Sequence, residues 1–99
     1  MFAVLKREKM PSKYKFSVEL FDNYTKPLKT VKFGDSKYND FTTHNDEKRK
    51  ISYILRHAKN EDWNDPLTAG FWSRWLLWNL PNINDSMRFI SDKFGIIFV

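Results

Sequence analysis

The chain has 99 residues and a formal net charge of +5, with 41% hydrophobic and 17% aromatic residues and no cysteine. That length suits one domain near the lower end of what can bury its own core, and the missing cysteines exclude disulfide staples and thiolate metal sites and suit a reducing compartment. Residues 1–60 carry 14 Lys+Arg against 7 Asp+Glu while residues 61–99 carry 3 against 5, so a basic half, attractive to nucleic acid, anionic lipid or acidic protein, precedes a mildly acidic, aromatic one.

The first apolar residues, Met1 to Leu5, are too few before Lys6-Arg7 to form a signal peptide. No run approaches the roughly 18 apolar residues of a membrane span, so the expectation is a protein made and used in the cytosol or in a particle assembled there. Phe2–Leu5 reads either as a short edge strand or, with the charged residues after it, as part of a mobile basic N-terminal arm over residues 1–13. From Tyr14, alternation of Tyr14, Phe16, Val18 and Leu20 with Lys15, Ser17 and Glu19 predicts a strand with one buried face. Turn residues 21–27 and the return Leu28–Phe33, closed by Gly34-Asp35, complete a β-hairpin. Its apolar face needs cover, because a lone hairpin is marginal in water.

Thr43 and Asp46 have the spacing of a capping box opening a helix from about His44 to Lys59. Ile51, Ile54, Leu55 and Ala58 then predict one buried stripe. Pro66 breaks the chain after a polar loop in which Trp63 is expected to pin the loop to the core. Thr68 caps a second helix that reaches Leu80-Pro81 and holds Trp72, Trp75 and Trp78, three of the four tryptophans. A third helix opens at Asn82, repeats Ile83, Met87, Ile90 and Phe94, and ends at Gly95. The expected architecture is α+β: a single compact domain over residues 14–95, its N-terminal hairpin packed on about three short helices, the second aromatic-rich and central. The apolar tail, residues 96–99, either docks as a strand or binds a neighbour.

The run Phe33-Gly34, Tyr38, Asp40-Phe41-Thr42, His44, Asp46, Arg49-Lys50, Tyr53-Ile54, Arg56-His57, Glu61, Trp63 and the segment Thr-Ala-Gly-Phe-Trp-Ser-Arg-Trp-Leu-Leu-Trp-Asn at 68–79 resembles a small uncharacterised protein family of giant, nucleocytoplasmic large DNA viruses. The resemblance covers about residues 28–94. It implies a viral origin, adds no catalytic residue, and makes a place among the minor proteins beneath a capsid lattice an expectation.

The residues themselves lack the parts of an enzyme. His44 and His57 are thirteen positions apart, without the spacing of a metal pair; Ser73 has no nucleophile elbow; the three glycines form no phosphate loop. No cofactor, metal or small-molecule substrate is expected. Lys13, Lys15, Lys29, Lys32, Arg49, Arg56 and Lys59 are candidates for a basic face that binds nucleic acid or is merely solvated. The tryptophan helix is expected to be mainly core, with Arg74, Trp72 and Trp78 at its edge sharing a partner surface with Ile96, Ile97, Phe98 and Val99. The expected function is that of a non-enzymatic structural protein of a large icosahedral DNA virus, a minor capsid component of the virion made in the host cytoplasm and linking neighbouring capsid proteins. The alternative is a small basic nucleic-acid-binding protein of the virion or infected cell.

Overall fold

The computed structural model describes all 99 residues, and the fold is α+β. Strands β1 (Phe2–Arg7), β2 (Tyr14–Phe21) and β3 (Pro27–Asp35) precede helices α1 (Phe41–His44), α2 (Glu47–His57), α3 (Ala69–Trp72, continued by a π-helical turn Ser73–Leu77) and α4 (Ile83–Phe94). A two-residue strand β4 (Ile97–Phe98) follows α4, and the sheet order is β3-β2-β1-β4.

The expected hairpin is β2–β3, antiparallel with Phe16 opposite Phe33 and Val18 opposite Val31. Its turn is built by Asp22, whose Oδ1 accepts from the amides of Tyr24 and Lys26, both at 2.9 Å. Alternation does what it should: Phe16, Val18 and Leu20 are buried while their neighbours are half-buried.

The N-terminal segment departs from the expected arm. Residues 2–7 form an inner strand, antiparallel to β2 with Ala3 opposite Leu20 and Leu5 opposite Val18, and parallel to β4 with Phe2 opposite Ile97. The short apolar run holds because Ala3, fully buried, lets the core close over the sheet there, and because the C-terminal tail covers the strand's second edge. Ile97 N donates to Met1 O and Val99 N to Ala3 O, both at 3.0 Å. The single compact unit therefore runs through both chain ends rather than over residues 14–95.

One core joins the sheet to the second half of the chain. Ala3, Phe16, Val18, Leu20, Val31 and Phe33 meet Phe71, Trp72, Leu76, Leu77, Ile90 and Ile96. Trp72 is its centre: fully buried, 6.1 Å from the Phe33 ring and 6.0 Å from Phe98, with its indole N–H donating to Pro66 O at 2.7 Å. Thr68 caps α3 as expected, its Oγ1 accepting from Phe71 N at 3.2 Å. The helix does not continue to Leu80, however. It widens into the π-turn, and Trp78, at φ −118°, leaves helical geometry. α4 starts at the Asn82 cap and ends at Gly95 in the left-handed region, φ 67°.

The helix expected over 44–59 is α2, at 47–57, and a separate one-turn helix, α1, precedes it. Asp40 caps α1, and Thr43, the expected cap of the longer helix, closes that box by accepting from Asp40 N at 3.0 Å. Asp46 caps α2 through the amides of Lys48 and Arg49. The expected burial of α2 is also corrected. Of its eleven residues only Tyr53 is buried, while Ile51 and Leu55 are 54% and 67% exposed. The Ile51–Leu55 stripe faces away from the body because the aromatic partner that anchors the helix, Trp78, meets the opposite side, where Tyr53 projects. Ile51→Ser and Leu55→Ser are therefore expected to change unfolding free energy by no more than about 0.5 kcal/mol, the range of ordinary surface substitutions. Equilibrium urea denaturation would check this, and a loss of core-residue size would contradict the outward orientation.

Candidate functional site

α2 is held to the body by its inner side alone. The Tyr53 ring lies between two others, Trp78 at 4.5 Å with an interplanar angle of 3°, and His57 at 4.2 Å and 25°. Offset-stacked rings of this kind add roughly 0.5–1.5 kcal/mol per pair beyond area burial. Lys50 adds a second tie, donating from Nζ to Asn79 O at 2.6 Å with its ammonium 4.8 Å from the Phe41 ring centre.

A third tie fixes the helix C-terminus. His57 Nδ1 lies 2.7 Å from Glu61 Oε1, and the other carboxylate oxygen accepts from the Trp63 indole at 2.8 Å. Gly70 leaves room for this arrangement: a Cβ at that position would lie 2.5 Å from Glu61 Oε2 and oblige the carboxylate to shift. Trp63 in turn accepts at its carbonyl from the Trp75 indole at 2.7 Å, so the loop is pinned to the core as its composition suggests. Arg74 sits 4.4 Å over Trp75 and 5.4 Å over Trp63, and its Nη1 donates to Trp78 O at 2.8 Å. With both oxygens of Glu61 engaged, the His57–Glu61 pair acts as a brace.

Burial, aided by the negative charge of Glu61, pushes the Tyr53 phenol well above its ordinary value, while burial lowers the Arg74 guanidinium. The neutral phenol is thus the form the fold prefers. Above the ordinary tyrosine pKa of about 10, the unfolded chain releases the Tyr53 proton and the folded one keeps it, so unfolding becomes easier as pH rises, by up to ~1.4 kcal/mol per pH unit. Urea midpoints at pH 9, 10 and 11 should fall more steeply for the wild-type chain than for Tyr53→Phe, which keeps the ring; parallel curves would contradict the assignment.

The outer side of α2 is the site. Ile51 and Leu55, one turn apart, are exposed together with Ala58; Lys48 and Lys59 are exposed beside them, and Arg49 and Arg56 are exposed further round the helix. None of these four cations forms an ion pair with a carboxylate. Between the end of α2 and the end of β3 lies a hollow of about 410 Å³, to which Arg56, His57, Glu61, Asp35 and Ser73 contribute.

The expected basic face divides. Arg49, Arg56 and Lys59 belong to the α2 region, and Lys13 is exposed on the strand side with its ammonium 5.7 Å from the Tyr14 ring centre. Lys15 is drawn inward instead, 2.6 Å from the buried Asp40 carboxylate. Lys29 donates to Leu67 O at 2.9 Å, and Lys32 lies 4.0 Å from Glu8. Of the hairpin lysines only Lys15 is drawn into the fold, and Lys29 and Lys32 remain exposed.

The expected partner surface divides too. Trp72 and Ile96 are corrections: 0% and 2% exposed, both are core, because α3 points Trp72 at the sheet and the tail turns Ile96 under α4. Trp78 is half-buried in the stack, within 5.3 Å of His44 as well. Ile97 and Val99 are 53% and 72% exposed, with Phe98 half-buried between them. The two histidines lie at opposite ends of the Tyr53–Trp78 stack, and His44 Nδ1 accepts from Asp46 N at 2.9 Å. No group of three or more His, Cys, Asp or Glu side chains converges as a metal site, and no helix is long and apolar enough to cross a membrane.

Residues 3–57 match the model of a family of unknown function, DUF5754. The chain belongs to that family. No curated protein and no solved structure matches it. The matched residues run from β1 to the end of α2, taking in Tyr53 and the exposed Ile51 and Leu55, and stop before the tryptophan-rich segment. Sequence reasoning singled out the α2 stripe but assigned it to the core. The signal that marks it as surface is its setting, since Lys48 and Lys59 border it while the one aromatic of the helix, Tyr53, lies on the other side.

Proposed function

We propose that this chain is a non-enzymatic structural protein that fastens neighbouring proteins together, a minor component of the icosahedral shell of a large DNA virus. The observation that carries the linking role is the outer side of α2: two large apolar residues exposed amid unpaired cations on a helix anchored firmly from behind. Contiguous apolar surface rimmed by polar residues marks protein contacts, and here Ile51, Leu55 and Ala58 are exposed in line. Ile97 on the edge strand and Val99 just beyond it supply a second apolar contact, and a linker needs two. The setting in a capsid rests on the resemblance of the 33–79 run to the giant-virus family; viral capsid proteins are then the partners, the virion is the location, and synthesis is in the host cytoplasm.

Particle fractionation tests this reading. The protein should purify with intact particles and stay with the shell proteins after disruption and nuclease treatment. Absence from particles would sink it. Release with the genome would favour the second reading, a nucleic-acid binder acting through Lys13, Arg49, Arg56 and Lys59, which are exposed and outside any ion pair. Such a binder should lose DNA affinity steeply as salt rises.

A further inference from the structure

We infer that the outer side of α2 docks an acidic amphipathic helix of a partner protein, with Ile51 and Leu55 as the apolar anchors, Lys48 and Lys59 as the charged rim on one flank, and Arg49 and Arg56 adding positive charge further round the helix. This deepens the linking role by naming the chemistry of one neighbour, and it rests on that role.

The geometry is that of a helix-on-helix contact. Ile51 and Leu55 are separated by one turn, about 6 Å of rise, and the span from Lys48 to Lys59 is about 16 Å at ~1.5 Å per residue. A partner helix of three turns covers it. Ala58 continues the apolar line from Ile51 and Leu55 at i, i+4 and i+7 and, being small, lets a second helix approach closely.

The charge selects the partner. The helix and its flanks carry four exposed cations without an internal counter-ion, while its acidic residues are confined to the N-terminal end, Asp46 engaged as the cap and Glu47 exposed on the flank away from Lys48 and Lys59. Lys48 and Lys59 share one flank of the stripe, so a partner whose apolar stripe is bordered by Asp and Glu on the facing side is complementary in both respects. A second copy of this chain is not. In a two-fold contact of α2 with itself the helices run antiparallel, setting Lys48 against Lys59 and cation against cation, in a protein already at +5.

A lipid surface is served poorly by the same residues. Interfacial helices depend on a broad apolar side with Trp, Phe or Leu, whereas this one shows two large aliphatic side chains and turns its only aromatic, Tyr53, inward. Nucleic acid would use the cations, but phosphate contact leaves Ile51 and Leu55 without a role.

The test is selection from a displayed library of 20-residue helical peptides with a Leu stripe and randomised flanking positions, against the immobilised full-length chain. The expected result is enrichment of Asp- and Glu-flanked peptides. Their binding should weaken at least 10-fold in the Ile51→Ser/Leu55→Ser double variant and at least 10-fold in Lys48→Glu/Lys59→Glu. Exchanging the peptide's acids for lysines should restore binding to the charge-reversed variant. Circular dichroism and thermal melts of the variants, expected to match the wild type, separate loss of contact from loss of fold. No enrichment, enrichment of neutral or basic flanks, or binding indifferent to these variants would overturn the inference. So would retention of duplex DNA or of vesicles containing 20% phosphatidylserine with the same dependence on Ile51 and Leu55. The shell reading stands or falls separately, because peptide binding by a protein that is absent from particles removes the shell and leaves the docking site.

Discussion

Trp72→Ala is expected to lower the unfolding free energy by about 3–5 kcal/mol, the cost of truncating a large buried aromatic. A domain of this size has of order 5–15 kcal/mol to lose, so the variant should be largely unfolded in mild urea and melt far earlier, by roughly 4–8 °C per kcal/mol. Burial, ring packing and a hydrogen bond all disappear with the one side chain. The indole is fully buried between the sheet and the helices, it touches the rings of Phe33, Phe71 and Phe98, and its N–H satisfies Pro66 O. Trp72→Phe keeps a ring but leaves that carbonyl unpaired and should fall in between. A loss below about 1 kcal/mol for the alanine variant in equilibrium denaturation would mean that the core can close over the gap, and Trp72 would no longer be its centre.

The second large effect is expected at Asp40. Its carboxylate is almost wholly buried, caps α1 through Thr42 N at 2.9 Å, and pairs with Lys15 at 2.6 Å. Asp40→Ala removes a cap worth about 1 kcal/mol and strands a largely buried ammonium; breaking a buried pair from one side costs about 3–5 kcal/mol. Lys15→Met, which strands the carboxylate instead, should cost less, since Asp40 keeps its cap bonds. The double variant Lys15→Met/Asp40→Ala should be more stable than the sum of the single losses predicts, because neither charge is then left alone. Strict additivity in such a cycle would show that the two side chains do not interact in solution.

What could be read in the chain divides by the range of the forces involved. The β2–β3 hairpin, the caps at Thr68 and Asn82, and the stop at Gly95 are local, and each carries its own pattern. β1 carries enough pattern to be offered as a short edge strand but not to be set inside the sheet, since that place depends on pairing with β4 at the far end of the chain. The stripe on α2 shows a different limit. Periodicity at i, i+4 and i+7 reveals that a helix has an apolar side but not which side meets the body. Here three ties on the other side, Tyr53 to Trp78, Lys50 to Asn79 and His57 to Glu61, decide the matter. The π-turn at Ser73–Leu77 has no local signal at all. Its extra residue per turn ends the helix early and leaves Trp78 free to leave the core and meet Tyr53. The candidate docking residues were thus visible as a group and misplaced by half a helical turn.

The parallel pair of β1 and β4 has a consequence for synthesis. β1 is the first of the four strands to leave the ribosome and the last to be enclosed, since its second edge finds its partner only when residues 97 and 98 arrive. Until then the β1–β2–β3 meander can form with a bare apolar face and one unpaired inner edge, the kind of surface through which nascent chains associate wrongly. Emergence of the tail, rather than completion of any one helix, is the event that closes the sheet.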